Sequence, residues 1–197
     1  MTGRLLCEPN VSEGRSGEHV DAFASAVRST RGVRLMHCSS DPDHNRTVLA
    51  YAGRPDAVVE ASTRLADEVF ARIDLREHRG QHPRLGALDV VPFVALDRLD
   101  PEITLEACRR FGRWVGARGV PVYYYEGAAT RPERQALPAI RSVGFEHLAE
   151  RMRDPAWGPD VGPPVPHPTA GAVITGVRGF LVRFNVNLES EIGRAHV

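Results

Sequence analysis

From Arg4 to Leu96 the chain alternates strand-like and helix-like stretches in the order β-α-β-β-α-β, and this order narrows the folds open to it. RLLCEPN (Arg4–Asn10) begins as a short strand. In SGEHVDAFASAVRS, Val20, Phe23 and Val27 fall at helical spacing behind Ser16, a residue type that caps helices. VRLMHCSS (Val33–Ser40) reads as a second strand. RTVLAYAG (Arg46–Gly53) reads as a third, apolar on both faces and so expected at the centre of a sheet. Pro55 opens a helix in which Val58, Ala61, Leu65 and Val69 form one stripe. DVVPFVAL (Asp89–Leu96) reads as a buried strand, with Pro92 pointing to an edge or a bulge. A helix marked by Leu105, Cys108, Phe111 and Val115 follows, then a strand over Val120–Glu126 and a helix over Leu137–Met152. The Pro/Gly-rich stretch Asp154–Gly171 predicts an extended loop, and Gly179–Leu188 a final strand. The expected architecture is α+β: a ferredoxin-like split βαβ sandwich, with helices packed on one face of a mostly antiparallel sheet.

Composition removes several mechanisms. The chain has 25 basic and 25 acidic residues and zero formal net charge, which argues against nucleic-acid binding through overall basicity. No apolar run reaches the length of a membrane helix, and the first residues carry no apolar leader segment, so a cytoplasmic protein is expected. The 3 cysteines, Cys7, Cys38 and Cys108, are scattered and read as reduced thiols. Lysine is absent, so all 25 basic residues are arginine. A Schiff-base lysine and a phosphate-loop lysine are therefore impossible. Arginine is left as the permanent side-chain cation, and its planar fork suits carboxylates.

The segment HRGQHPRLGALDVVPF (His78–Phe93) holds the sharpest local signal. His78 and His82 are spaced as zinc ligands on a helix often are. Yet Gly80 weakens a helix between them, Pro83 disfavours the helical conformation at His82, and no third ligand is evident. No metal is expected. Two readings stay open from the residues alone: histidines on a tolerant surface loop, or one imidazole held where chemistry occurs.

Here the residues resemble a family. CEPNVSEGR (Cys7–Arg15), NRTV (Asn45–Val48), HRGQHPRLGALDVVPF, PVYYYEGAA, LPAIR (Leu137–Arg141), GPDVGP and TGVRGFLVRFNVNL are similar, in order, to the N-terminal subdomain of the glutamate formiminotransferases. The resemblance covers about Leu5 to Leu188, so residues 1–188 are expected to form that subdomain. Residues 189–197 are expected to be a truncated or foreign tail, with the second subdomain of the family absent. The resemblance implies a ferredoxin-like fold. It also implies transfer of a formimino group from N-formiminoglutamate to N5 of tetrahydrofolate, a step of histidine breakdown. It assigns the catalytic base to the histidine before Pro-Arg, which is His82 here. It assigns folate contacts to Pro163, Pro164, Val165, Pro166, His167, Pro168, Thr169, Ala170, Gly171 and Ala172. Tetrahydrofolate is the co-substrate, and a homodimer or a complementary subdomain is an expected partner.

The chemistry agrees with an imidazole. Attack by N5 on the formimino carbon gives a tetrahedral adduct; one proton must leave N5 and one must reach the departing glutamate nitrogen. A histidine, with an ordinary pKa of about 6.5, can do both near neutrality. The substrate carboxylates need cations, and Arg46, Arg84 and Arg178 lie in or beside the matched motifs, with solvated surface charge as the alternative for each. Asn10 is either a substrate contact or a turn stabiliser, Asp89 either orients His82 or a neighbouring amide or stabilises the strand, and Glu126 is a candidate second acid/base group. The alternative to an enzyme is a module that binds folate or formiminoglutamate without turnover.

Overall fold

Along β4 (Arg46–Gly53) burial alternates: Thr47, Leu49, Tyr51 and Gly53 are buried, whereas Arg46, Val48, Ala50 and Ala52 are half-exposed. One face of the strand therefore lies in a core and the other opens outward, the period-2 consequence of strand geometry. The strand is internal to the sheet, as expected. It is covered on one face only, although its apolar residues fall on both. The computed structural model behind this description covers residues 3–180.

The remaining elements are β1 (Arg4–Cys7), β2 (Asn10–Val11), α1 (Gly17–Arg28), β3 (Val33–Asp41), α2 (Pro55–Arg72), β5 (Leu88–Leu96), α3 (Pro101–Gly116), β6 (Val122–Glu126), α4 (Leu137–Arg141), α5 (Leu148–Arg151) and β7 (Val173–Val177). β1 and β2 are two pieces of one path between β4 and β5. The spatial order across the sheet is β3, β4, β1/β2, β5, β7, β6. The first four positions are antiparallel, and β7 and β6 extend the sheet in parallel with β5. The elements from β1 to β5, with β1/β2 counted as one strand, thus form the ferredoxin-like split βαβ unit read from the sequence. No helix among the described residues is long and apolar enough to cross a membrane.

Two cores lie on opposite faces. The larger joins Phe23 and Val27 of α1, Val58, Leu65 and Val69 of α2, and Phe111 and Val115 of α3 to Leu5, Leu49, Tyr51, Val91, Phe93 and Tyr124 of the sheet. Each such side chain, fully buried, contributes about 1.5–3 kcal/mol. The smaller core joins Val90, Tyr123, Tyr125 and Ile174 to Ile140, Leu148 and Met152, so the short helices α4 and α5 cover only the β5-β7-β6 end of the second face. No helix among the described residues covers the opposite end of that face, which carries Arg46, Val48, Ala50 and Ala52. The buried Arg134 guanidinium pins the connecting loop by pairing with Asp160 at 2.7 Å, while Asp160 also accepts from the Tyr124 amide at 2.8 Å.

Three sequence expectations need correction. The helix over Leu137–Met152 is broken into α4 and α5, because Gly144 adopts a left-handed φ of 66° and the Phe145 amide bonds instead to the Arg84 carbonyl. Pro92 marks neither an edge nor a bulge of its own: β5 is central, and Pro92 lies opposite the Glu8–Pro9 break between β1 and β2, where no ladder bond has to be donated. β7 was not expected: no element was assigned between the loop ending at Gly171 and the strand expected from Gly179. The strand expected over Gly179–Leu188 and the tail 189–197 fall, beyond Phe180, outside the described residues.

Gly86 joins the histidine loop to the returning chain at Gly171. A Cβ there would meet the carbonyl oxygens of Ala172 and Leu88, both rigid backbone. Gly86→Ala is expected to destabilise the protein by roughly 2 kcal/mol or more in urea unfolding. Gly17→Ala at the start of α1, where a Cβ meets nothing within 4 Å, is expected to leave the midpoint unchanged or raised.

Candidate active site

The loop from Arg76 to Gly86 is held by polar contacts rather than by regular structure. Asn45, buried and in a left-handed conformation with φ 50°, is the anchor. Its side chain accepts from the Gly14 amide at 2.9 Å and donates to the Arg79 carbonyl at 2.9 Å. Its own carbonyl accepts from Nε2 of His78 at 3.0 Å. His78 is therefore a clamp between this loop and the β3–β4 turn, and burial lowers its basicity. The two histidines share no helix, and their rings serve separate purposes. Among the described residues no group of three or more His, Cys, Asp or Glu side chains is arranged to hold a metal.

His82 lies half-buried further along. Its Nδ1–H donates to the Pro83 carbonyl at 2.7 Å. The Arg46 guanidinium, which can only donate, lies against the same ring, with Nη1 2.6 Å from Nδ1 and in contact with Nε2. Arg46 also donates through Nε to Oδ1 of Asn10 at 2.9 Å. The His44 ring stands edge-on at 6.1 Å, oriented by Oδ2 of Asp41 at 2.8 Å. Burial and then the Arg46 charge push the His82 imidazole down to about 4, so it is neutral at physiological pH.

Beside this loop, on the open half of the second sheet face, lies a cleft of about 270 Å³. Val48, Val90 and Pro92 form its floor, and Tyr125 and Leu137 line it where the α4 end begins. Arg46, Arg141 and Arg178 supply its cations, with Glu8 and Asn10 between them. Arg178 pairs with Glu8 at 2.6 Å and Arg141 with Asp89 at 2.6 Å. The balance is cationic, and a dicarboxylate of glutamate size matches it in charge.

The structure brings His82, Asn10, Arg46 and Arg178 together at this cleft and its border. Arg84 lines the small pocket with His82 but not the cleft, and its Nη2 pairs with Glu146 at 2.8 Å. Asp89 does not bond to His82. Its Oδ1 accepts from the Leu85 amide at 2.8 Å, which pins the end of the loop. Glu126 stands at the far end of β6, in a second concavity with Thr104 and Gln135. Of the stretch Pro163–Ala172, the second half is built into the fold. The Leu75 amide bonds to the Thr169 carbonyl at 2.9 Å, Ala87 to Ala170 at 3.0 Å and Ala172 to Leu85 at 3.2 Å, while Nδ1 of His167 accepts from the Ala170 amide at 3.1 Å. Ala170, Gly171 and Ala172 are buried, whereas Pro164, Val165 and Pro168 are exposed. This stretch packs on both ends of the histidine loop, at Leu75 and Leu85, but does not border the arginine-lined cleft. Arg141 and Glu8 were missed as site residues; each meets its partner across a separation that no local pattern reports.

The depressed His82 basicity has a stability consequence. An unfolded histidine binds its proton near pH 6.5, while the folded one waits until about 4. The unfolded chain thus binds more protons between these values, and stability falls as pH drops through that window. His82→Gln is expected to reduce the loss of unfolding free energy between about pH 7 and about pH 4.5 by on the order of 1 kcal/mol, measured by urea denaturation at both values.

Comparison with known proteins matches residues 4–178 to the formiminotransferase domain, N-terminal subdomain. The glutamate formimidoyltransferase of Streptococcus pyogenes serotype M1 is 40% identical over 196 residues, covering 97% of this chain and 64% of that protein. That of Thermoplasma acidophilum is 41% identical over 194 residues, with 95% and 64% covered. The formimidoyltransferase-cyclodeaminase of Rattus norvegicus is 41% identical over 197 residues, covering 100% of this chain and 36% of that protein. The chain thus spans about a third of the length of the cyclodeaminase relative and just under two-thirds of the shorter transferases. With a ferredoxin-like unit, His82 at the edge of a cationic cleft and a match along nearly the whole described chain, the protein belongs to the formiminotransferase domain family, as its N-terminal subdomain.

Proposed function

We propose that this chain is the lobe of a glutamate formimidoyltransferase that carries the catalytic base. The reaction is transfer of a formimino group from N-formiminoglutamate to N5 of tetrahydrofolate, giving 5-formiminotetrahydrofolate and glutamate in histidine degradation. The observation that carries the reading is His82, neutral and half-buried, touching an arginine that faces an open cationic cleft. The names of relatives about 40% identical along the chain support it independently.

N5 of the folate attacks the formimino carbon, and a tetrahedral adduct forms. His82 takes the proton released from N5 and returns it to the glutamate nitrogen as the carbon–nitrogen bond to glutamate breaks. The carboxylates of the glutamyl group fit Arg46, Arg141 and Arg178, and the apolar floor at Val48 and Val90 suits the carbon chain between them. The exposed prolines and Val165 of the stretch Pro163–Ala172 lie on the loop assigned to folate, whose second half bonds to the ends of the histidine loop at Leu75 and Leu85. Tetrahydrofolate is substrate here, and no metal enters the scheme. Residues 1–188 form one wall of the cleft in this proposal, and a complementary subdomain or a second copy supplies the facing wall. Burial pushes the Cys7 and Cys108 thiols up to about 12, which suits reduced, unreactive cysteines in a cytoplasmic protein.

One observation favours a second reading, in which the domain binds its ligands without turning them over. Both ring nitrogens of His82 are engaged, Nδ1 by Pro83 and Nε2 by Arg46. The purified chain, alone and with a supplied complementary subdomain, is to be incubated with formiminoglutamate and tetrahydrofolate and the formimino-folate followed by its absorbance. Turnover is expected. His82→Ala is expected to lower kcat by about 10²–10⁴ with little change in ligand affinity. Binding without product in both preparations would leave the module reading standing and end the enzymatic one. Arg178→Ala is expected to raise KM for formiminoglutamate by about 10-fold or more, with a smaller effect on kcat.

A further inference from the structure

Transfer between two nitrogens on one carbon involves two proton movements, and Glu126, the residue the sequence offers as a second acid/base group, stands away from His82 at the far end of β6. Building on the transfer reading, we infer that His44, oriented by Asp41, is the second proton-transfer group of the site, paired with His82. His44 lines the small pocket around His82, and the two rings meet edge-on with centroids 6.1 Å apart. Asp41, at the end of β3, holds the ring there. Its Oδ1 accepts from the amides of Asp43 at 2.8 Å and His44 at 2.9 Å, which fixes the turn. Its Oδ2 is left for Nδ1 of the His44 ring, at 2.8 Å. The Gln81 amide bonds to the Asp43 carbonyl at 3.3 Å, so the turn and the histidine loop are tied to each other. A carboxylate on Nδ1 sets the orientation and tautomer of an imidazole and leaves Nε2 for proton exchange. Nε2 of His44 bonds to nothing among the described residues. Stabilising the turn uses Oδ1 alone and does not require an imidazole at position 44.

The pair divides what one base would otherwise do in turn. As the bond from N5 to the formimino carbon forms, His82 takes the N5 proton. As the bond from that carbon to the glutamate nitrogen breaks, His44 in its protonated form gives that nitrogen a proton. The proton on His82 then passes to His44 through one water, which restores both rings. The net change is one proton moved from N5 to glutamate. Each transfer needs a reach of about 2.6–3.2 Å, and two rings that meet edge-on can flank the two nitrogens of one carbon. His82 is half-buried beside a guanidinium, whereas His44 is half-exposed beside a carboxylate. Paired groups in such contrasting settings divide into base and acid. The other charged or titratable groups near the two rings are Arg46 from β4, His78 and Arg84 from the histidine loop, Asp89 from β5 and Arg141 from α4, with Asp43 and Arg15 flanking the turn.

The test has one readout that needs no turnover and one that does. The full chain labelled with ¹⁵N-histidine is titrated by NMR, with signals assigned by their loss in His44→Gln and His82→Gln. The His82 signals are expected to show an inflection at the pH where His44 titrates, because a charge then appears beside the ring, and His44→Gln is expected to abolish it. In the preparation that turns over, His44→Gln is expected to lower kcat by about 10-fold or more with KM little changed, and to remove the alkaline fall of kcat that loss of a general acid produces. Added imidazole is expected to restore part of the kcat of His44→Gly. Asp41→Asn, whose amide oxygen still accepts from the turn but whose nitrogen faces Nδ1 as a donor, is expected to lower kcat as well. An unchanged kcat and pH profile in His44→Gln overturns the inference whatever the titrations show, and leaves the transfer reading standing. A His82 titration without the inflection overturns it too, with or without turnover. No product from the unaltered chain in either preparation would sink the transfer reading, and this role for His44 with it.

Discussion

A buried carboxylate organises the site. Asp89, 2% exposed, occupies the extra position created where the pairing of β5 with β2 shifts register between Val90 and Leu88. A bulge re-aims the side chain it carries. Here it sends one oxygen to the amide that ends the histidine loop and the other to Arg141 on α4. Neither the loop nor α4 is held by a long hydrogen-bonded element of its own. This shared anchor ties the segment bearing His82 and the helix walling the cleft to one point on the sheet, in addition to the Asn45 clamp and the packing of Ile140. Removing the charge would leave the Arg141 guanidinium largely buried without its partner, an arrangement costing several kcal/mol.

The anchor matters because of how the two faces of the sheet are divided. Three amphipathic helices fill one face and give the molecule its main core. The other face is split. Its β5-β7-β6 end is sealed by α4, α5 and a cluster of aromatic and aliphatic side chains, and its β4-β1/β2 end is left open by the described residues. The cleft forms along that boundary, with an apolar floor and arginines around it. A chain without lysine meets its need for cations with forks rather than point charges. Those forks can pair with carboxylates from the protein when the cleft is empty and from a ligand when it is filled.

Much of this was legible in the residues. The order of elements, the helical stripes and the ferredoxin-like unit follow from periodicity, because each stripe must be buried and few layer arrangements bury them all. Gly80 and Pro83 spoke against a zinc helix, and the loop is indeed irregular between His78 and His82. The break in the expected Leu137–Met152 helix was hidden, since Gly144 inside a periodic stretch reads as tolerable until the backbone turns left-handed there. Pro92 misled for a related reason: a proline seems barred from a central strand unless the neighbouring strand is interrupted beside it. Arg84 and Arg178 carry equal credentials in the sequence, but Glu146 and Glu8 draw them to different places.

By itself, the sequence determined the strands and helices from β1 to β6, that the cations would be guanidinium groups, and that one unusual histidine loop would need its own support. These are local matters of spacing, side-chain chemistry and backbone preference. Only the tertiary structure decided which histidine clamps the loop and which touches an arginine of the cleft, and which arginines share that cleft. Such choices depend on contacts between residues 33 or more positions apart, and on which half of a sheet face the described helices leave uncovered. Neither is written in any local pattern.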